Sequence, residues 1–177
     1  QGRLTMIKLA LCLIFSLSFY LHGYYFATGD QSTYVPQVLQ RINPALFQRD
    51  YLSQTAEGDF SLMFPLLAQI IKLTGADLEW LYFFLYLTLR GLSLIFIYRL
   101  SLALTQSTPA ALLATAFLSL PKFVAGTNQP TLDNSLLPRF FVLPLLLLSL
   151  NYLSKKQWVI SSLLVGLSFT IHPYSGI

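Results

Sequence analysis

The residues able to do chemistry in this chain are few, and most of them stand at the edges of long apolar runs. Asp30 sits in Gly29-Asp30-Gln31, where the first such run gives way to polar sequence. A carboxylate there can act as general base toward an acceptor or hold a cation, and its charge counts for more where water is partly excluded. The competing role is simpler: Asp30 precedes a helix expected to start near Ser32 and can cap it. Asp50, Glu57 and Asp59 follow in the same polar stretch, as carboxylates of the kind usually found solvated. Asp133 and Arg139 flank the start of a later apolar run. Asp133-Asn134-Ser135 reads as a helix start with Asp133 as its cap, while the planar fork of Arg139 suits a phosphate. His172, just before Pro173, lies near the end of the last apolar run. An ionisable group at that depth marks either a functional position or a hydrogen bond to a neighbouring helix. Arg90 falls in the middle of an apolar run, so it must face protein or a water-filled cavity, with a structural partner the sequence does not name. His22, inside the first run, is expected to pack beside the aromatic residues that follow it.

Other chemical signatures are absent. There is no P-loop, no dinucleotide fingerprint, no metal-spaced His or Cys cluster and no nucleophile elbow. The one cysteine, Cys12, lies inside the first apolar run and permits no internal disulfide.

The elements that must position these residues read as membrane helices. Apolar residues make up 55% of the 177 positions and charged residues only 10%, where a soluble domain carries roughly 25% charged residues. A soluble chain this short has no interior large enough to hide so much apolar surface. The net charge of +4 comes from eleven Lys and Arg that stand singly or in one pair, with no basic stripe, which argues against nucleic acid as a partner. Five apolar spans are expected: residues 6–27, 79–101, 109–125, 136–153 and 158–177. Tyr20, Tyr24 and Tyr25 gather at one end of the first, as an interfacial belt would. Its length and the absence of a small-residue cleavage site favour a retained helix over a signal peptide. Pro144 is expected to bend the fourth span. The chain opens on Gln1 and stops at Ile177 inside an apolar run, so it reads as a single transmembrane domain in fragment form, with Met6 a candidate natural start.

The polar stretch of residues 28–78 carries two helices of its own. Val35, Val38, Leu39 and Ile42 recur at helical spacing, with Ser32 or Thr33 available as a cap and Asn43-Pro44 as the stop. A second helix near Ser61–Leu73 has Leu62, Met63, Leu66, Leu67, Ile70 and Ile71 on one face and Lys72 on the other, which suits a helix lying along a membrane surface. With five spans, the ends alternate. Asp30, Asp133, Arg139 and His172 then share one side with all seven acidic residues. Arg3, Lys8, Arg99, Lys155 and Lys156 share the other side, whose short loops hold the denser basic residues and are placed in the cytoplasm. Short joints at 102–108 and 154–157 make the spans they connect antiparallel neighbours.

This layout resembles the GT-C superfamily of membrane glycosyltransferases. In those proteins a first transmembrane helix leads into a long outer loop with amphipathic helices, and many spans follow. The residues carrying the likeness are Gly29-Asp30-Gln31 after the first span, the helices near Ser32–Ile42 and Ser61–Leu73, and His172-Pro173 closing a later span, which is similar to poorly characterised bacterial members. Many members carry two adjacent acids at this place, whereas Gln31 follows Asp30 here. The resemblance implies an all-α polytopic bundle in a bacterial plasma membrane. It also implies a polyprenyl-phosphate-linked sugar as donor, an inverting transfer at the outer face and a divalent cation as a candidate cofactor. On that reading Asp30 is the catalytic carboxylate, with Gln31, Asp133, Arg139 and His172 as substrate-binding candidates. The competing readings are a polytopic transporter and a membrane scaffold without catalysis, in which Asp30 serves as a cap alone.

Overall fold

A computed structural model of the chain describes residues 2–49, 61–124 and 129–173. Among these the protein is all-α, with seven helices: α1 (Gly2–His22), α2 (Gln31–Ile42), α3 (Met63–Thr74), α4 (Leu78–Thr105), α5 (Thr108–Leu118), α6 (Pro138–Leu153) and α7 (Trp158–Ile171). A two-residue antiparallel pair, β1 (Phe123–Val124) with β2 (Gln129–Pro130), lies between α5 and α6 in the chain. Two helices, α1 and α4, are long and apolar enough to cross a membrane. At 28 residues, α4 runs about 42 Å, which exceeds a bilayer's hydrocarbon core of roughly 30 Å. The remaining apolar helices, α3, α5, α6 and α7, are shorter.

The helix ends follow local chemistry, and several differ from the expected spans. α1 stops at His22, not at residue 27, because Gly23 takes the left-handed conformation (φ +68°) and its N–H closes on Phe19 O. Tyr24 and Tyr25 therefore lie beyond the helix. Gly75 ends α3 in the same way, its N–H reaching Ile71 O. α2 ends where Asn43-Pro44 was expected to end it. Asp77 caps α4 by accepting from Trp80 N, and Ser107 caps α5 by accepting from Ala110 N. The third expected span fails to reach residue 125: α5 ends at Leu118, and Pro121 starts an extended segment that feeds β1. The fifth ends at Ile171, one residue before His172-Pro173, because proline disfavours helical backbone in the residue before it.

α6 and α7 form an antiparallel pair, and α4 lies against α5 and α6. Polar side chains tie these apolar helices together. Ser149 Oγ meets Ser161 Oγ at 2.8 Å, and Asn151 Nδ2 donates to Phe96 O at 3.1 Å. Such ties are worth most where no water competes for the same groups. The outward faces stay apolar: Leu9 and Leu13 on α1 are 60% and 62% exposed, and Val159 and Leu163 on α7 are 74% and 68% exposed.

The polar stretch packs into the main core. Val35 and Val38 of α2, Met63, Phe64 and Leu67 of α3, Tyr82 and Tyr86 of α4, and Leu136 and Phe140 at the start of α6 form one buried cluster. Tyr34 meets Phe64 at a ring distance of 5.5 Å, and Tyr86 stacks on Phe140 at 5.1 Å. α3 is apolar on two faces. Met63, Phe64, Leu67 and Ala68 face the core, while Leu62, Leu66 and Leu73 are exposed.

Candidate functional site

Hydrogen bonds from backbone and side chains draw the ends of α1, α2, α3, α6 and α7 together beside the N-terminal half of α4. Tyr25 N donates to Asn134 O at 2.8 Å, which ties the segment after α1 to the segment before α6. Leu62 N donates to Thr170 O at 3.0 Å and Ser61 Oγ to Ile171 O at 2.7 Å, so the start of α3 is fastened to the end of α7. Gln31, expected among the substrate-binding residues, is fully buried and forms an internal tie. Its Nε2 donates to Leu136 O at 3.0 Å and its Oε1 accepts from Ala27 N at 2.7 Å. The amide has spent both ends on tying the start of α2 to the segments before α2 and before α6, while Asp30 beside it is exposed.

Asp30 occupies the N-cap position of α2, yet its side chain makes no cap hydrogen bond. Its backbone is helical, at φ −60° and ψ −26°, whereas a side-chain cap needs the extended backbone of a usual N-cap. Only its carbonyl takes part in the turn, accepting from Thr33 N and Tyr34 N. The expected capping role is therefore absent: the carboxylate is exposed and uncommitted to the helix. Ser32, expected as an alternative cap, donates to Gly29 O at 2.7 Å.

Asp133 also departs from its expected role. The helix does not begin at Asp133-Asn134-Ser135, because Leu137-Pro138 sets its start and Leu137 is the N-cap. Freed from capping, the Asp133 carboxylate receives Arg139 in a two-pronged pair: Nε to Oδ2 at 2.8 Å and Nη2 to Oδ1 at 2.7 Å. The side chains of Arg139 and Asp133 are 30% and 9% exposed. Arg139 thus keeps its second terminal nitrogen, Nη1, outside the Asp133 pair. Asp30 and Tyr34 both act electrostatically on Arg139, and Arg139 acts on His172. Asp30, Arg139 and His172 thus lie near enough for their charges to be felt along the series, and Asp133 joins them through its pair with Arg139. Burial, and then the positive charge of Arg139, hold the His172 imidazole below its ordinary value of 6.5. Asp50, Glu57 and Asp59 lie outside the described residues.

Behind this cluster lies a group whose role the sequence left open. Arg90 is fully buried, at the level where α1 and α5 end and α6 is about to begin. Its Nε and Nη2 reach Ser18 Oγ at 3.2 and 2.9 Å, Nη2 reaches Ser18 O at 3.2 Å, and Nη1 reaches Asp133 O at 3.2 Å and the Tyr86 hydroxyl. Ser18 Oγ in turn donates to Ser119 O at 3.0 Å, and Tyr86 Oη lies 2.8 Å from Gly23 O. Tyr86 stands one helical turn before Arg90, a spacing that put both on one face of α4. Ser18 carried a weaker signal, as a hydroxyl in an otherwise apolar helix. His22 does not simply pack beside aromatic rings, since its Nδ1 lies 2.8 Å from Ser18 O in the same network.

Compared with protein-family models, curated proteins and solved structures, the chain matches none.

Proposed function

We propose that the protein is a polytopic membrane glycosyltransferase, transferring a sugar from a polyprenyl-phosphate donor at the outer membrane face. The observation that carries this reading is the grouping of an uncommitted carboxylate, a carboxylate-anchored guanidinium and a half-buried imidazole at one end of apolar helices. A lipid-linked donor needs a membrane for its tail and polar groups at headgroup depth, and the exposed apolar faces of α1 and α7 adjoin that end. In the reaction, Asp30 takes the proton of an acceptor hydroxyl as its oxygen bonds to the anomeric carbon from the side opposite the phosphate. The bond from that carbon to the phosphate oxygen breaks, and its electron pair leaves on the phosphate. Nη1 of Arg139 holds that phosphate, with His172 beside it, while Asp133 fixes the guanidinium through its other two nitrogens. Among the described residues no group of three or more His, Cys, Asp or Glu gathers to hold a metal ion, so no step is assigned to a divalent cation.

The test is Asp30→Asn in the full-length protein, reconstituted in liposomes with polyprenyl-phosphate sugars, reading release of polyprenyl phosphate. The expected result is loss of transfer with unchanged folding, because Asn preserves shape and removes the base. A fully active Asp30→Asn protein would falsify the catalytic assignment. The five-span topology is tested separately by cysteine labelling from outside in a Cys12→Ser background. Ser53→Cys and Asn128→Cys should react while Gln157→Cys stays protected, and labelling of position 157 together with 53 would overturn it.

A further inference from the structure

Arg90 carries a full positive charge in a place with no exposure, and no carboxylate pairs with it among the described residues. Its hydrogen-bond acceptors are two hydroxyls and two backbone carbonyls. One of those carbonyls belongs to Asp133, so this residue is held at both ends. Its carbonyl faces inward to Arg90 Nη1 at 3.2 Å and to Tyr86 Oη at 3.3 Å. Its carboxylate takes both prongs of Arg139, and its negative charge is also felt at Arg90. The segment from Leu132 to Leu137 has no helix or strand of its own to set its course, and a backbone held by few ladder hydrogen bonds depends on contacts of this kind.

We infer that Arg90 is a positioning residue for Arg139, acting through the Asp133 peptide and without touching substrate. The chain of contact is short and rigid: α1 through Ser18, α5 through Ser119, α4 through Tyr86, and then the Asp133 carbonyl. A guanidinium suits this place because its planar fork serves four acceptors in fixed directions, which the single ammonium of lysine cannot do. The buried charge also has a desolvation cost that neutral residues would not carry, and its hydrogen bonds to Ser18, Tyr86 and the Asp133 carbonyl offset it. Calling Arg139 the phosphate-holding group rests on the proposed transferase reading, but the contact chain and its test do not use activity.

The experiment follows the Arg139 Nε–H by NMR in the full chain, labelled with ¹⁵Nε-arginine and held in lipid nanodiscs, its signal assigned by Arg139→Lys. In the intact protein this proton, bonded to Asp133, should exchange slowly with solvent. Arg90→Lys keeps the charge and loses the fork, and should speed that exchange by roughly five-fold or more, the scale of one lost hydrogen bond. Tyr86→Phe removes only the hydroxyl and should speed it by a smaller factor, about two-fold or more. Asn151→Ala removes a tie between α6 and α4 that lies away from this end and should leave it unchanged. If Arg90→Lys does not fold, Tyr86→Phe decides. Unchanged exchange in the folded variants overturns the inference, and so does equal acceleration by Asn151→Ala, which would show general loosening. Loss of the transferase reading by the Asp30→Asn test would leave this measurement standing.

Discussion

The surroundings of the two arginines at the polar end of the molecule are built on opposite plans. Arg90 is sealed from solvent and held by neutral oxygens, whereas Arg139 is 30% exposed and held by the Asp133 carboxylate. A buried cation surrounded by carbonyls and hydroxyls keeps its charge but has no donor to spare for a ligand. It fixes the segments that supply the oxygens. A cation at a boundary, with its fork half taken by a carboxylate, has its direction set and one terminal nitrogen left to act. The difference teaches that burial and partner, and not residue type, divide an arginine that fixes neighbouring segments from one that keeps a nitrogen outside its ion pair. Asp133 belongs to both plans, its carbonyl to the first and its carboxylate to the second.

The largest effect should come from removing the sealed cation. Arg90→Ala leaves Ser18, Tyr86 and the Asp133 carbonyl without their shared donor, and should cost about 3 kcal/mol or more, read as the shift of a reversible unfolding transition in mixed micelles. If Arg139→Ala costs as much, the contrast between the two sites breaks. Asp133→Ala should come next. It deprives a half-buried guanidinium of its carboxylate and should cost about 1–2 kcal/mol, with a larger loss in transfer than in stability. Asp30→Ala should be close to silent in the same unfolding measurement, within about 0.5 kcal/mol, because its side chain makes no cap hydrogen bond. A cost near 1 kcal/mol would restore the capping role. The smallest effect concerns His172. Its folded midpoint lies below 6.5, so near that pH the unfolded chain binds the proton more readily. Its contribution to stability therefore falls as pH drops through 6.5 and levels off below the folded midpoint. In Arg139→Gln the midpoint should rise yet stay under 6.5, since burial is the larger cause, as read from the imidazole ¹³C shift. A midpoint unmoved by Arg139→Gln would separate His172 from the boundary cluster.

Much of this end was legible in the pattern of apolar runs. The run edges placed Asp30, Asp133, Arg139 and His172 at similar depth, and helical spacing placed α2 and α3 within the polar stretch to within about two residues. The errors share one cause. Asp30 and Asp133 each preceded an expected helix start, and local sequence cannot tell a carboxylate that caps from one that is drawn elsewhere. At Asp133 the guanidinium of Arg139, the second residue of α6, outcompeted the backbone N–H groups. At Asp30 the helical backbone of the residue itself denied the cap geometry. Gln31 misled for another reason: a polar residue beside a candidate acid reads as part of a site, while its two ends in fact meet Ala27 and Leu136.

What the sequence determined alone is what depends on neighbours within a turn or two: the apolar runs, the stop at Asn43-Pro44, the joint between α6 and α7, and the need for Arg90 to be satisfied inside protein. These follow from periodicity, backbone restriction and the cost of an unpaired charge, which act locally. Which oxygens satisfy Arg90, that α2 and α3 enter the main core, and that Asp133 joins one arginine through its backbone and another through its side chain were decided only by tertiary structure. Arg90 meets the Asp133 carbonyl 43 positions and Ser18 72 positions away in sequence, and the energies of such contacts depend on which faces meet in space, a quantity no local pattern contains.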